Sequence, residues 1–199
     1  ITEEIASEKN ITLDKKGYDN LMLEQKNKAR KSKSFSDKST SNFTTSHTTE
    51  FLGYNRNNHE GILIDLYLDN KKVTKASNVN EEYLLVLSHT TFYPEGGGQI
   101  SDIGTISSSK CLFEVIDVQK INDTIIHVCN LLSGEANIKD KLITSFDVNH
   151  RSKVTSNHSS THLLHHYLRK TLGMHVQQRG SSVTDKSFRF DFTHNKPLS

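Results

Sequence analysis

His158 and His162 stand four residues apart in the run His158-Ser159-Ser160-Thr161-His162, with His165 and His166 just beyond. The stretch has a helical period, and side chains at i and i+4 share one helix face, so both imidazoles can point at one metal ion. Imidazole suits zinc, and a zinc-bound water can become a hydroxide nucleophile near neutral pH. Ser159 occupies the place where an H-E-x-x-H metalloprotease carries its glutamate base. The pair therefore binds metal for another chemistry, or binds none. The chain holds 11 histidines, so one close pair also arises by chance, and histidine can sit satisfied on a half-buried face. His165 lies near the same face, and spacing does not exclude His166. Zinc normally takes at least three protein ligands. Cys111 and Cys129 lie in expected strands without a C-x-x-C partner and read better as small buried hydrophobes. Further ligands are then expected beyond Ser199 or from a loop.

A second run, Thr91-Phe92-Tyr93-Pro94-Glu95-Gly96-Gly97-Gly98-Gln99, places three glycines in a row. Bare backbone tolerates positive φ and lets a ligand approach the main-chain N–H groups. The run matches neither the G-x-x-x-x-G-K-[ST] phosphate loop nor G-x-G-x-x-G. A tight turn between strands explains it as well as a ligand loop does. In His175-Val176-Gln177-Gln178-Arg179-Gly180-Ser181, Gln178 could aim an amide at a ligand and Arg179 could face a phosphate. A solvated edge strand accounts for the same residues and is the better reading from composition.

These residues need elements to position them. Residues 1–35 read as helical, with Asp14 capping a segment in which Tyr18, Leu21 and Met22 share an apolar face. Its far end is basic (Lys26, Lys28, Arg30, Lys31, Lys33), which suits a solvated helix C-terminus better than a phosphate-facing ridge. Residues 36–50 are rich in Ser, Thr and Asn and read as a linker. From 51 to 146, apolar runs at Gly61–Tyr67, Glu82–Leu87, Leu112–Val118 and Thr124–Val128 alternate with turn residues such as Asp69-Asn70 and Ser133-Gly134. That pattern predicts a small antiparallel sheet or barrel. After Asp147 the period becomes helical through Val154, His158, His162, His165 and Leu168, with Gly173 as the stop. Strands are expected around Val176–Val183 and at Phe188–Phe192, where three Phe alternate with Arg189 and Asp191. The expected fold class is α+β, with an N-terminal helix, a barrel-like β subdomain over 51–146, and from 147 to 199 the start of a two-layer α/β core carrying the histidines.

Apolar content is 33% over 199 residues and Trp is absent, so polar loops take a good share of the length. The net charge of +2 excludes a generally polycationic chain, and any RNA contact should be local. Two cysteines without close spacing suggest reduced thiols in a cytosol-like compartment. No apolar run approaches the ~20 residues that span a bilayer. The first residue is Ile rather than Met, which suggests a piece of a longer protein.

Taken together, four segments resemble the alanyl-tRNA synthetases. They are Phe92 to Gln99, Asn157 to His165, Leu172 to Ser181, and Arg189 to His194, in the family's order and spacing. Gly17 to Gln25, ending in Ala29-Arg30, resembles the helix that closes the tRNA-recognition region of that family. The resemblance implies an enzyme that charges tRNA(Ala) with alanine using ATP and Mg2+ in an activation domain not contained in this chain. It implies that this part is the end of the tRNA-recognition region followed by the larger part of an editing domain, which hydrolyses tRNA(Ala) mischarged with serine or glycine. By the same resemblance His158 and His162 hold zinc, the remaining ligands belonging to a Cys-x-x-x-His element downstream of Ser199. Thr161 and Gln178 take the catalytic pocket. Gly96, Gly97, Gly98 and Gln99 line it with main-chain donors. From charge, Arg179 and Lys26, Lys28 and Arg30 are candidates for tRNA backbone contact. The compartment implied is cytoplasmic, with a bacterial-type organelle as the alternative, and no membrane is involved. Two other readings remain, a free-standing alanyl-tRNA editing deacylase and a tRNA-binding module without catalysis. The synthetase-like opening helix argues against the first.

Overall fold

Short strands with alternating burial build most of the molecule. The computed structural model describes residue 14, residues 17, 18 and 20–24, and residues 47–198. The chain divides into two units, Ile1–Phe43 and Thr44–Ser199. In the first, Asp14 starts a helical turn as its residue type predicts. Its Oδ1 accepts the Gly17 N–H at 2.8 Å and its carbonyl accepts the Tyr18 N–H at 3.0 Å. Tyr18, Leu21 and Met22 are exposed. The expected basic helix end at Lys26, Lys28 and Arg30, and the linker as far as residue 46, lie outside the described residues.

The second unit holds thirteen strands and one long helix among the described residues. The strands are β1 (Glu50–Phe51), β2 (Asn58–Leu68), β3 (Lys71–Lys72), β4 (Lys75–Ala76), β5 (Glu82–Leu87), β6 (His89–Thr90), β7 (Gly104–Ser107), β8 (Cys111–Ile121), β9 (Thr124–Gly134), β10 (Ala136–Asn137), β11 (Lys141–Phe146), β12 (Gln178–Val183) and β13 (Phe188–Phe192). Six of them run in the order β11-β7-β8-β9-β5-β2, and β11 pairs back onto β2, closing an antiparallel barrel. β3 extends the sheet from β2 through a turn in which Asp69 and Asn70 both have positive φ, the geometry of a two-residue hairpin. The short pairs β1–β6 (parallel) and β4–β10 (antiparallel) brace its outside.

The four apolar runs expected as strands are β2, β5, β8 and β9. Alternation sends Cys111, Phe113 and Val115 of β8, and Leu142 and Phe146 of β11, into one core with Leu63, Leu85, Ile106 and Leu131. Each buried aliphatic or aromatic side chain contributes about 2 kcal/mol. Both cysteines are buried and unbonded to each other, as expected. Burial first, and then Glu82, pushes the Cys129 thiol well above its usual range. His127 is also fully buried. Its Nδ1 lies 3.1 Å from the Leu85 carbonyl and its Nε2 2.7 Å from Thr90 Oγ1, so the neutral ring donates at one nitrogen and accepts at the other.

Helix α1 (Val148–Leu172) follows the barrel directly. Asp147 caps it, its carboxylate accepting the N–H groups of Asn149 and His150, and Gly173 ends it with its N–H donating to the Arg169 carbonyl. No helix among the described residues is long and apolar enough to cross a membrane. After α1, β12 and β13 form a two-stranded antiparallel sheet, and Phe190 of β13 packs against His165 of α1 at 5.2 Å between ring centroids. The architecture is α+β, as the sequence predicts.

Candidate functional site

One clamp fixes α1 to the barrel. Arg151, in the first turns of α1, donates from Nε to Asp102 Oδ1 at 2.7 Å, and from its terminal nitrogens to Asp102 Oδ2, to the Gly53 carbonyl at 3.0 Å and to the Thr91 carbonyl at 3.0 Å. Its guanidinium also lies 3.9 Å from the centre of the Phe146 ring. Asp102 is 3% exposed, so this charge is out of water and the bidentate fork neutralises it. The carboxylate also accepts the Tyr93 N–H at 2.6 Å, which holds the strand leading to the glycine run. Neither residue stands out in the sequence.

The clamp sets the register of the rest of α1 against that run. Gly96 and Gln99 exchange N–H···O=C bonds at 3.1 and 3.0 Å, with Gly97 at φ 61° and Gly98 at φ 83° between them. The run is therefore a tight two-residue turn of the I′ kind. The N–H groups of Gly96 and Gln99 are used inside the turn and are not offered to a ligand, which corrects the expectation that all four residues present main-chain donors. The turn is also pinned from outside. Val183 donates to the Gly98 carbonyl at 2.7 Å and Ile100 donates to the Val183 carbonyl at 3.1 Å, joining β12 to it. A Cβ on Gly98 would stand 2.5 Å from Ser181 Oγ, so only glycine fits.

What reaches α1 from the turn is a side chain. Gln99 is 5% exposed, and its Oε1 lies 2.6 Å from Nδ1 of His158. An amide oxygen only accepts, so His158 donates from Nδ1 and keeps the lone pair on Nε2. His158 and His162 are side by side, ring centroids 5.1 Å apart and planes at 26°. Two imidazoles at tetrahedral angles on one zinc have centroids roughly 5 Å apart, so the spacing fits. Lone pairs lie in the ring planes, so the stacked rings must tilt for both to meet one ion. Gln99 supplies the outer hydrogen bond that a ligating histidine needs. Among the described residues no group of three or more His, Cys, Asp or Glu side chains converges on a point, so this chain offers half a zinc site there.

Thr161 is 6% exposed, its hydroxyl donating to the His158 carbonyl at 2.7 Å and retaining lone pairs to accept another donor. Gln178 is exposed on β12 and donates to Ser181 Oγ at 3.1 Å. Ser181 touches Gly98, so Gln178 is tied to the turn through one intervening side chain. Arg179 is exposed beside it. The fold thus brings His158, His162 and Gln99 into contact, sets Thr161 on the same helical turn, and ties Gln178 to the far side of the glycine turn. Sequence reasoning missed the Gln99 side chain and Ser181. The signal for Ser181 is its smallness opposite a glycine.

Residues 1–150 match the family described as tRNA synthetases class II (A). The chain is 40% identical to an alanine–tRNA ligase of Rickettsia bellii over 206 aligned residues, covering 100% of this chain and 24% of that protein. It is 39% identical, at the same coverage, to alanine–tRNA ligases of Rickettsia akari and Rickettsia rickettsii. The chain thus spans about a quarter of the relatives it matches. On the family match over three quarters of its length, the chain belongs to the class II (A) tRNA synthetases.

Proposed function

We propose that this chain is the editing part of an alanine–tRNA ligase, and that it hydrolyses the ester between tRNA(Ala) and a wrongly attached serine or glycine. The observation that carries the reading is the 2.6 Å contact between His158 and Gln99, which seats the paired histidines on the glycine turn. Hydrolysis adds water to the ester carbonyl carbon and releases the ribose hydroxyl, the oxygen taking a proton as it leaves. An aminoacyl ester is already reactive, so orienting the water and the substrate is most of the task. Zinc bound by His158, His162 and ligands contributed elsewhere would supply a Lewis acid at that point. The chain's own residues do the rest. Gln99 fixes the His158 tautomer, and the α1 clamp at Arg151 fixes the helix. Thr161 and Gln178 are the pocket groups that accept or donate to a serine hydroxyl, a contact alanine lacks. A site that hydrogen-bonds a hydroxyl discriminates strongly against the analogue without it.

The test is deacylation of Ser-tRNA(Ala) by the full-length ligase carrying this chain. Hydrolysis lost on His162→Ala supports the reading; equal hydrolysis in that variant overturns the metal assignment. A full-length ligase that binds the mischarged tRNA but never deacylates it favours the passive tRNA-binding module instead. With two ligands in hand, the isolated chain should hold well under one zinc per molecule.

A further inference from the structure

The last three turns of α1 carry a second chemical feature. A surface cavity of about 460 Å³ is lined by His162, His165, His166, Arg169, Lys170 and Met174. Five of the six linings are cationic or imidazole. α1 contains no Asp or Glu in its 25 residues. Among the described residues no carboxylate pairs with Arg169 or Lys170. Attraction of cations to a helix C-terminus explains their position in the sequence. It does not explain why two donors are out of water without a partner. The Arg169 Nε and the His165 Nε2 are both buried, and no described atom bonds to either. A buried unsatisfied nitrogen is costly, and more so on a guanidinium, so a native fold retains one where a ligand satisfies it.

We propose that this cavity is an anion cradle for an RNA phosphodiester, the backbone of the acceptor strand next to the esterified end. Arg169 presents a guanidinium fork, Lys170 a point charge, and the histidines neutral ring donors, which together suit phosphate oxygens. The choice of that RNA end rests on the editing reading above. His162 belongs both to the ring pair and to the cavity wall, so the two sites are continuous. Arg169 lies seven residues further along the helix, about 10 Å at 1.5 Å per residue. A chain whose ester sits at the ring pair would lay its phosphates along that stretch. Phosphate contact of this kind positions the strand without reading its sequence.

The experiment measures binding of a fluorescein-labelled, uncharged tRNA(Ala) transcript to the chain between 50 and 200 mM NaCl. Arg169→Gln/Lys170→Gln should weaken binding about tenfold at low salt and reduce the slope of log K against log salt by about 1 to 1.5, since each single-strand phosphate contact contributes roughly 0.7. Lys170→Gln alone should take about half of that slope and guards against misfolding of the double variant, whose helix content is checked by circular dichroism. Lys110→Gln/Lys120→Gln, which removes the same charge from β8, should leave the slope alone. Equal slopes in the cavity and β8 variants, or no binding by the parent chain, overturn the proposal. The editing reading fails or stands separately. His158→Ala should abolish deacylation in the full-length ligase while keeping the parent salt slope. A ligase that never deacylates, with a slope still lost at Arg169 and Lys170, sinks editing and keeps the cradle.

Discussion

Nδ1 of His158 lies 2.6 Å from Oε1 of Gln99, across 59 residues of sequence. This bond is the junction between the helix that carries the ring pair and the turn that shapes the wall beside it.

Replacing Gln99 with Leu keeps the volume and removes the acceptor. His158 then loses the bond that fixes its tautomer. Loss of an outer hydrogen bond to a ligating histidine typically costs 10- to 100-fold in metal affinity or activity. Deacylation of Ser-tRNA(Ala) by the full-length ligase should fall by about that factor, and zinc retained after dialysis should fall with it. An unchanged zinc content in Gln99→Leu would show that the amide does not orient a ligand.

Arg151→Met strands the carboxylate of Asp102, which is 3% exposed. Removing one partner of a buried ion pair costs about 3–5 kcal/mol. Chemical denaturation should show a loss of that order. Arg151→Met/Asp102→Leu should recover part of it, because no charge is then buried alone.

Gly97 and Gly98 both have positive φ but differ in surroundings. A Cβ on Gly97 meets nothing within 4 Å, whereas one on Gly98 would meet Ser181 Oγ at 2.5 Å and the Ser181 carbonyl oxygen at 2.7 Å. Gly97→Ala should cost only the conformational strain, about 1–2 kcal/mol. Gly98→Ala should cost more and push β12 from the turn. Stability and deacylation measured side by side should rank the two variants in that order.

His127 gives the barrel a pH dependence. Burial, only partly offset by the hydrogen bond to the Leu85 carbonyl, lowers its pKa from 6.5 to about 4. The unfolded chain therefore binds a proton at higher pH than the folded one. The contribution is full above about pH 6.5 and is lost progressively as pH falls toward 4, amounting to about 3 kcal/mol. Urea denaturation at pH 7, 5.5 and 4.5 should show the decline, and His127→Gln should flatten it. A profile with the same slope in His127→Gln would locate the titrating group elsewhere.

Local pattern made the limits of α1 legible. Asp147 before the helical period and Gly173 after it are the cap and the stop. The alternation at Phe188–Phe192 gave β13 to the residue. The i, i+4 spacing placed His158 beside His162 because a helix enforces that neighbourhood. β7 and β11 escaped notice, since Gly104–Ser107 and Lys141–Phe146 mix Ser and Thr with few apolar residues. The Gln99 and Arg151 contacts escaped for another reason. They span 59 and 49 residues, and no period within one element reports a partner in another. The glycine run was read as a source of main-chain donors, but a turn this tight consumes two of them. The purpose of the bare backbone at Gly98 is the close passage of Ser181.

Closure of the barrel also dictates an order of events. β11 zips onto β2 across some eighty positions of chain, with Ser145 opposite Asn58. Arg151 then reaches the Gly53 carbonyl from 98 residues away. Such distant pairings are slow to form, because the intervening chain must first give up its freedom. During synthesis the last staves cannot meet until residue 146 has left the ribosome, and the histidine helix has nothing to grip before then. The ring pair is consequently among the last features of the nascent chain to mature.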